Sequence, residues 1–208
     1  MINDLMLYVG ETWFIALLAS MGAIVLLAPL FIYLRKTRDV RRMKRAIKKY
    51  SQASEKKAVL SDGIDGYIFV DYLILMRDRI LAMKVMKKQG YVFGGENINE
   101  WTCVENNKTE KFKNPLEEVK FFAEQIKHDF GYDAVEAYVL FDGKSIFPKG
   151  VPLGVLQIET FGEKLGMLNE TCDSEAVSEV NKQHQEVWLQ LLNRVKEDKG
   201  QLQLVLTP

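Results

Sequence analysis

The stretch Gly66–Gly90, GYIFVDYLILMRDRILAMKVMKKQG, constrains the fold more than any other. Two apolar, β-branched runs, Tyr67–Met76 and Ile80–Met86, flank a polar Arg77-Asp78 and read as a β-hairpin. A turn symmetric about Arg77-Asp78 sets Leu75 against Ile80, Leu73 against Ala82 and Asp71 against Lys84, with Met86 opposite Phe69. Directly opposed residues hold their Cβ atoms about 4.5–5.5 Å apart. A charged pair inside such apolar strands is the first place to look for chemistry.

The rest of the chain builds around this hairpin. Ser51–Asp65 is polar and reads as a helix through Glu55–Leu60, then a turn at Asp62-Gly63. After the hairpin, Gly90-Tyr-Val-Phe-Gly94 reads as a short third strand, and Glu96–Lys113 as a polar loop around Trp101. Asn114-Pro115 opens a helix with proline at its first position. Leu116, Val119, Phe122, Ile126 and Phe130 carry its apolar spacing, and Gly131 stops it. Ala134–Phe141 and Leu153–Ile158 read as strands, and Gln201–Leu206 as a last one. Between the latter two, Glu175–Lys196 is an amphipathic helix with a stripe of Val177, Val180, His184, Val187, Leu191 and Val195, a core face by default. Strands and helices alternating after an antiparallel hairpin indicate an α/β sheet of mixed direction. The chain carries no internal repeat and no glycine-rich phosphate loop.

Before all of this, Trp13–Leu34 is 22 residues without a charge. As a helix it would span about 33 Å, enough for a hydrocarbon core of about 30 Å. Trp13 and Tyr33 stand at its two ends, where interfacial aromatics belong. A cleaved signal peptide fits worse, because there is no basic region in front and a basic cluster follows. No Lys or Arg precedes Arg35, whereas eleven lie between Arg35 and Lys57 against two acids. Positive residues stay cytoplasmic, so the expectation is a single-pass protein of the cell inner membrane with residues 1–12 outside. Then follow a membrane helix at 13–34, a basic juxtamembrane helix or linker at 35–57, and a cytoplasmic α/β domain at 58–208. Arg41, Arg42, Lys44 and Arg45 face anionic lipid in this reading, at about 1 kcal/mol each near the surface. A nucleic-acid patch is the competing use of the cluster. Residues 58–208 hold 17 basic and 24 acidic side chains, a net charge of −7, which gives no general attraction for a polyanion. Cys103 and Cys172 have no metal-ligand spacing and read as free thiols in reducing cytosol. His128 and His184 read as surface or packing residues.

Val70-Asp71 in the first strand, Gly90-Tyr-Val-Phe-Gly94, Trp101, Phe112 and Asn114-Pro115-Leu116 together resemble the nuclease-related domain (NERD) family over about residues 60–145. The resemblance implies a restriction-endonuclease-like mixed sheet with flanking helices, and several members carry an N-terminal membrane helix. It also implies a site in which Asp and Glu on facing strands share a divalent metal that activates water against a phosphodiester, assisted by a Lys two residues after the Glu. Here the Glu position is Lys84 and the Lys position is Met86. A helix Gln is replaced by Glu118, and a nearby His by Phe122. The expected site residues are therefore Asp71, Lys84 and Glu118, with Asp71 as the remaining metal ligand. Asp71 facing Lys84 makes a neutral pair that repels a metal. Sliding the register by one brings in Lys87 but turns the whole strand pattern to the other face. Glu55, Asp62, Asp65 and Glu118 are the carboxylates that could rebuild a site.

The resulting expectation is a membrane-anchored, non-catalytic module that binds nucleic acid, through Lys84, Lys87 and Lys88, or a protein partner. It needs no cofactor, or Mg²⁺ if active. The alternatives are an active metal-dependent DNA nuclease with a rearranged site, and a purely structural assembly partner in the membrane. The bland readings stand beside these. The Asp71–Lys84 pair fixes hairpin register, Met86 is core, Lys87-Lys88 is a solvated strand end, and Trp101 and Asn114-Pro115 anchor the loop and cap the helix.

Overall fold

The structure, a computed structural model, describes residues 38–64, 66–170 and 177–206. Segment 1–12, the expected membrane helix at 13–34, Asp65 and Cys172 lie outside the described residues. The chain divides into two compact units, Met1–Arg41 and Arg42–Pro208. Of the first, residues 38–41 are described and are helical. The second holds the architecture below.

Its first sheet has five strands in the order β1 (Ala53–Ser61), β2 (Tyr67–Leu75), β3 (Ile80–Met86), β7 (Val135–Phe141) and β9 (Val155–Gln157). The β1–β2 and β2–β3 pairs are antiparallel, and β3–β7 and β7–β9 are parallel. Helices cover both faces. On one, α2 (Pro115–Phe130) and α4 (Val177–Leu206) supply Leu116, Val119, Phe122, Val187, Trp188 and Leu191 against Leu73, Leu75, Ile80, Ala82 and Val139. On the other, α1 (helical over residues 38–50) and α3 (Ile158–Glu170) bury Met43, Ile47, Phe161 and Leu165 against Ile74, Leu81, Met83 and Leu140. Burial on both faces explains why these strands read as unbroken apolar runs.

The second sheet has the order β6 (Lys108–Lys113), β5 (Glu100–Glu105), β4 (Gly90–Phe93) and β8 (Ser145–Ile146). Only one of its faces is buried. Val92, Trp101 and Cys103 point into the core, while Tyr91 and Phe93 alternate outward. Trp101 stacks on Phe141 of the first sheet, ring centroids 6.1 Å apart and planes 11° from parallel.

Several expectations are corrected. The helix read through Glu55–Leu60 is strand β1, because pairing with β2 from Ala53 to Ser61 overrides the helix preference of its Glu, Lys and Ala. The folded unit also reaches further back than residue 58. The helical part of the expected linker packs Met43, Ala46 and Ile47 into the core. The loop at Glu96–Lys113 is the β5–β6 hairpin, polar because only alternate residues are buried, and closed by Asn106-Asn107 with φ of 48° and 59°. Gly90–Phe93 is a strand, but of the second sheet. The strand at Leu153–Ile158 shortens to Val155–Gln157, and Ile158 begins α3. Gly162 and Gly166 hid this helix by resembling breakers, whereas both lie on the face of α3 that packs against α1, where even a Cβ would make an ordinary contact. A Cβ on Gly162 would lie 3.6 Å from Ala46 Cβ, and one on Gly166 3.4 Å from the Tyr50 ring. Gln201–Leu206 is no strand but the end of α4.

Candidate functional site

The hairpin register is the one the turn implies. Leu75 faces Ile80, Leu73 faces Ala82, and the ladder ends at Tyr72 opposite Met83. Met76 N–H donates to the Arg79 carbonyl across the turn, 2.9 Å. Beyond Tyr72 the two strands part. β3 stays paired with β7 as far as Met86–Phe141, while β2 stays with β1. Val70 and Leu73, three apart, both enter the same core cluster, so the two-residue alternation shifts face at Asp71-Tyr72. On β1 the position opposite Asp71 is Lys57, in the left-handed region at φ 51°.

Asp71 sits at this opening. Its carboxylate Oδ2 accepts the Val85 N–H at 2.7 Å, which replaces a ladder bond the parted strands no longer make. Lys84, on the next turn of the pleat, does not pair with it. Its Nζ is held by the Glu118 carboxylate on the first turns of α2. Burial pushes the Lys84 ammonium below its usual range, and the negative charge of Asp71 partly restores it. Of the three expected positions, Lys84 is paired with Glu118, and Asp71 acts on the ammonium through its charge and not as its partner. Met86 is half-buried against the core and Phe122 is fully buried. The ladder ends before Met86 could face Phe69, which pairs with Val59.

The other expected site residues scatter. Lys88 is bound by Glu110 and lies 4.9 Å over the Phe112 ring, so it is not a solvated strand end, whereas Lys87 is exposed. Arg42 donates to the Glu159 carbonyl at 2.9 Å, and Arg41, Lys44 and Arg45 are exposed on α1. Glu55 is tied to Lys199 of α4 at 2.8 Å, and Asp62 accepts the Ile64 and Gly66 N–H groups in a turn, so neither reaches Asp71. His128 is exposed and His184 is buried against the Tyr132 hydroxyl. Cys103 is a free, buried thiol that donates to the Gln89 carbonyl at 3.2 Å.

A second polar cluster escaped the sequence reading. At the far end of the hairpin, Arg79 is gripped by Asp78 and Glu136, and Tyr138 donates to Glu136 at 2.6 Å. These partners hold the Arg79 guanidinium above its usual range, and burial raises the Tyr138 phenol. Its signal was Glu136, the one charged residue inside AVEAYVLF.

The glycine, tryptophan and asparagine motif forms a mechanical joint. A Cβ on Gly94 would fall 2.1 Å from the Trp101 ring. Gly90 has φ 99° and would meet the Val104 carbonyl at 2.3 Å. Trp101 Nε1 donates to the Gly95 carbonyl at 3.1 Å. Buried Asn114 caps α2, accepting Leu116 N–H at 2.9 Å through Oδ1, and donates to the Glu96 carbonyl at 3.2 Å through Nδ2. The bland reading of Trp101 and Asn114-Pro115 therefore holds.

The nuclease-related domain (NERD) family matches residues 36–145, a range that takes in the hairpin, the joint and α2. The chain belongs to this family. No curated protein matches it. Among solved structures, the NERD chain is similar to the small subunit (R.BspD6I2) of the heterodimeric restriction endonuclease R.BspD6I, at 14% identity and TM-score 0.31. That alignment covers 73% of this chain and 86% of the other. Among the described residues of the NERD chain, no group of three or more His, Cys, Asp or Glu side chains is arranged to hold a metal ion. Nor is any described helix long and apolar enough to cross a membrane.

Proposed function

We propose that this chain is a membrane-anchored NERD protein with a restriction-endonuclease-like core whose nuclease centre is non-catalytic, and that it binds nucleic acid or a protein partner at the cytoplasmic membrane face. The observation that carries this reading is the Lys84 ammonium paired with the Glu118 carboxylate and favoured by the charge of Asp71. A divalent cation wants several hard oxygen ligands and a negative surround. Here one Asp71 oxygen is committed to the Val85 N–H, Glu118 is compensated by Lys84, and the positive charge stands inside the site. The residues do not suit Mg²⁺, and no chemical step is derived through one. The membrane anchor rests on the uncharged stretch 13–34 and the basic cluster behind it.

An active nuclease is favoured by one observation, that Lys84 is paired with Glu118 and also feels the charge of Asp71, so both carboxylates border one ammonium. DNA cleavage by the full chain in detergent, with Mg²⁺ or Mn²⁺, separates the two. The proposal expects no cleavage above an Asp71→Ala control. Metal-dependent cleavage that this substitution abolishes would establish the enzyme instead.

A further inference from the structure

The groove expected to attract nucleic acid is electrically closed, since Lys84 is bound by Glu118 and Lys88 by Glu110. The second sheet is different. Its outer face carries Tyr91 and Phe93 at alternate positions of β4, exposed at 51% and 36%, with Ile146 at 51% beside Tyr91. Val104 and Thr102 of β5 stand opposite these two aromatics, and Thr109 and Lys111 of β6 continue the same rows. An apolar patch this open on a sheet marks a contact surface.

The charges around it indicate the partner. Lys111 is paired with Glu100 at 2.8 Å, but Lys108 and Lys113 of β6, Lys87 before β4 and Lys144 before β8 are exposed and form no ion pair. Lys149 is likewise unpaired and shares an open concavity with Gly94, Gly95 and Pro152, just past Phe93. Of the acids on the sheet's own strands, Glu100 and Glu110 are consumed by Lys111 and Lys88, and Glu105 has no such partner. A domain that is acidic as a whole thus keeps an excess of unpaired lysines around two exposed aromatics. Strands lie about 4.8 Å apart and alternate residues share a face, so Lys111 and Lys113 of β6 stand about 10 Å from the row of β4 aromatics, whereas Lys108 belongs to the other face. Such rows suit bases stacked on one and phosphates held along the other.

We infer that the open face of the second sheet is a platform for single-stranded nucleic acid, with Tyr91 and Phe93 stacking on bases and Lys113 and the rim lysines Lys87, Lys144 and Lys149 holding phosphates. This rests on the nucleic-acid form of the proposed function and moves the contact away from Asp71. Bases in a duplex hide their faces, so a single strand is preferred over a duplex of equal length.

The test is fluorescence anisotropy of a labelled oligothymidylate with the full chain in detergent. The inference expects salt-sensitive binding, weakened about tenfold or more by Tyr91→Ala with Phe93→Ala. Lys113→Ala with Lys144→Ala should flatten the slope of log affinity against log salt by about 0.7 per lysine removed. These side chains are exposed, so unchanged thermal melting certifies each variant. Binding that survives loss of the aromatics but not Lys84→Ala would overturn the inference while leaving the nucleic-acid reading intact. No binding by the wild type would overturn both. If the aromatic variant instead changes the oligomeric state of the chain in sedimentation and leaves oligonucleotide binding untouched, the face is a protein contact and the inference fails.

Discussion

The Asp71–Lys84–Glu118 cluster and the Gly94–Trp101–Asn114 joint interleave along the family match, and they are held by different physics. The first is a set of half-exposed charges at the mouth of two parting strands, each satisfied by a flexible side chain or a single amide. The second is a rigid fit, in which a buried ring lies where a glycine has no side chain and a buried amide caps a helix while tying down a loop. Charged residues of the first kind exchange without disturbing the backbone. Residues of the second kind do not. In the proposed reading, a family pattern can therefore lose its acid and base residues and keep its joint.

The contrast is broken most readily at Gly94. Gly94→Ala drives a methyl into the Trp101 ring, so we expect a loss of about 3 kcal/mol or more, comparable with deleting a large buried aromatic. Urea unfolding measures it, and an unchanged midpoint would remove the claim of a steric joint. Asn114→Ala strips a helix cap and leaves the buried Leu116 N–H without its acceptor, an expected loss of about 1–3 kcal/mol in the same experiment.

The hairpin turn sharpens the comparison, because it carries phenols whose ionisation burial opposes. Burial raises the phenols of Tyr132 and Tyr138 above their usual value of 10.0. A raised folded value means that the unfolded chain ionises first. The stability these phenols contribute is thus complete below pH about 10 and falls as pH rises beyond it. Tyr138→Phe should flatten this alkaline decline in a pH series of unfolding midpoints.

Glu118→Gln has the smallest expected effect. Its pair with Lys84 is partly solvated, so stability should fall by less than about 1 kcal/mol. A larger loss would place the cluster among the structural elements and erase the distinction.

The hairpin, its register to Tyr72 and the α2 caps were legible because period-two apolar runs, Asn-Pro and Gly131 have few alternative readings. The end of the ladder was not. Nothing in Val70-Asp71-Tyr72 announces that the strands part there, and extending the register by one pair set Lys84 against Asp71 instead of Glu118. The hairpin of β5 and β6 was hidden by its half-polar alternation, and α3 by its two glycines. The open aromatic face was invisible for the same reason as β5 and β6, since without the strands Tyr91 and Phe93 share no surface.

The central claim is that Lys84 stands where a metal would need to be. Calorimetric titration of Mn²⁺ into the full chain tests it, with wild type, Asp71→Ala and the double variant Lys84→Glu with Met86→Lys side by side. The account predicts no saturable heat for wild type, and binding in the double variant, where Asp71, Glu118 and the new carboxylate converge. Saturable binding by wild type that disappears in Asp71→Ala would contradict it and return the chain to the nucleases.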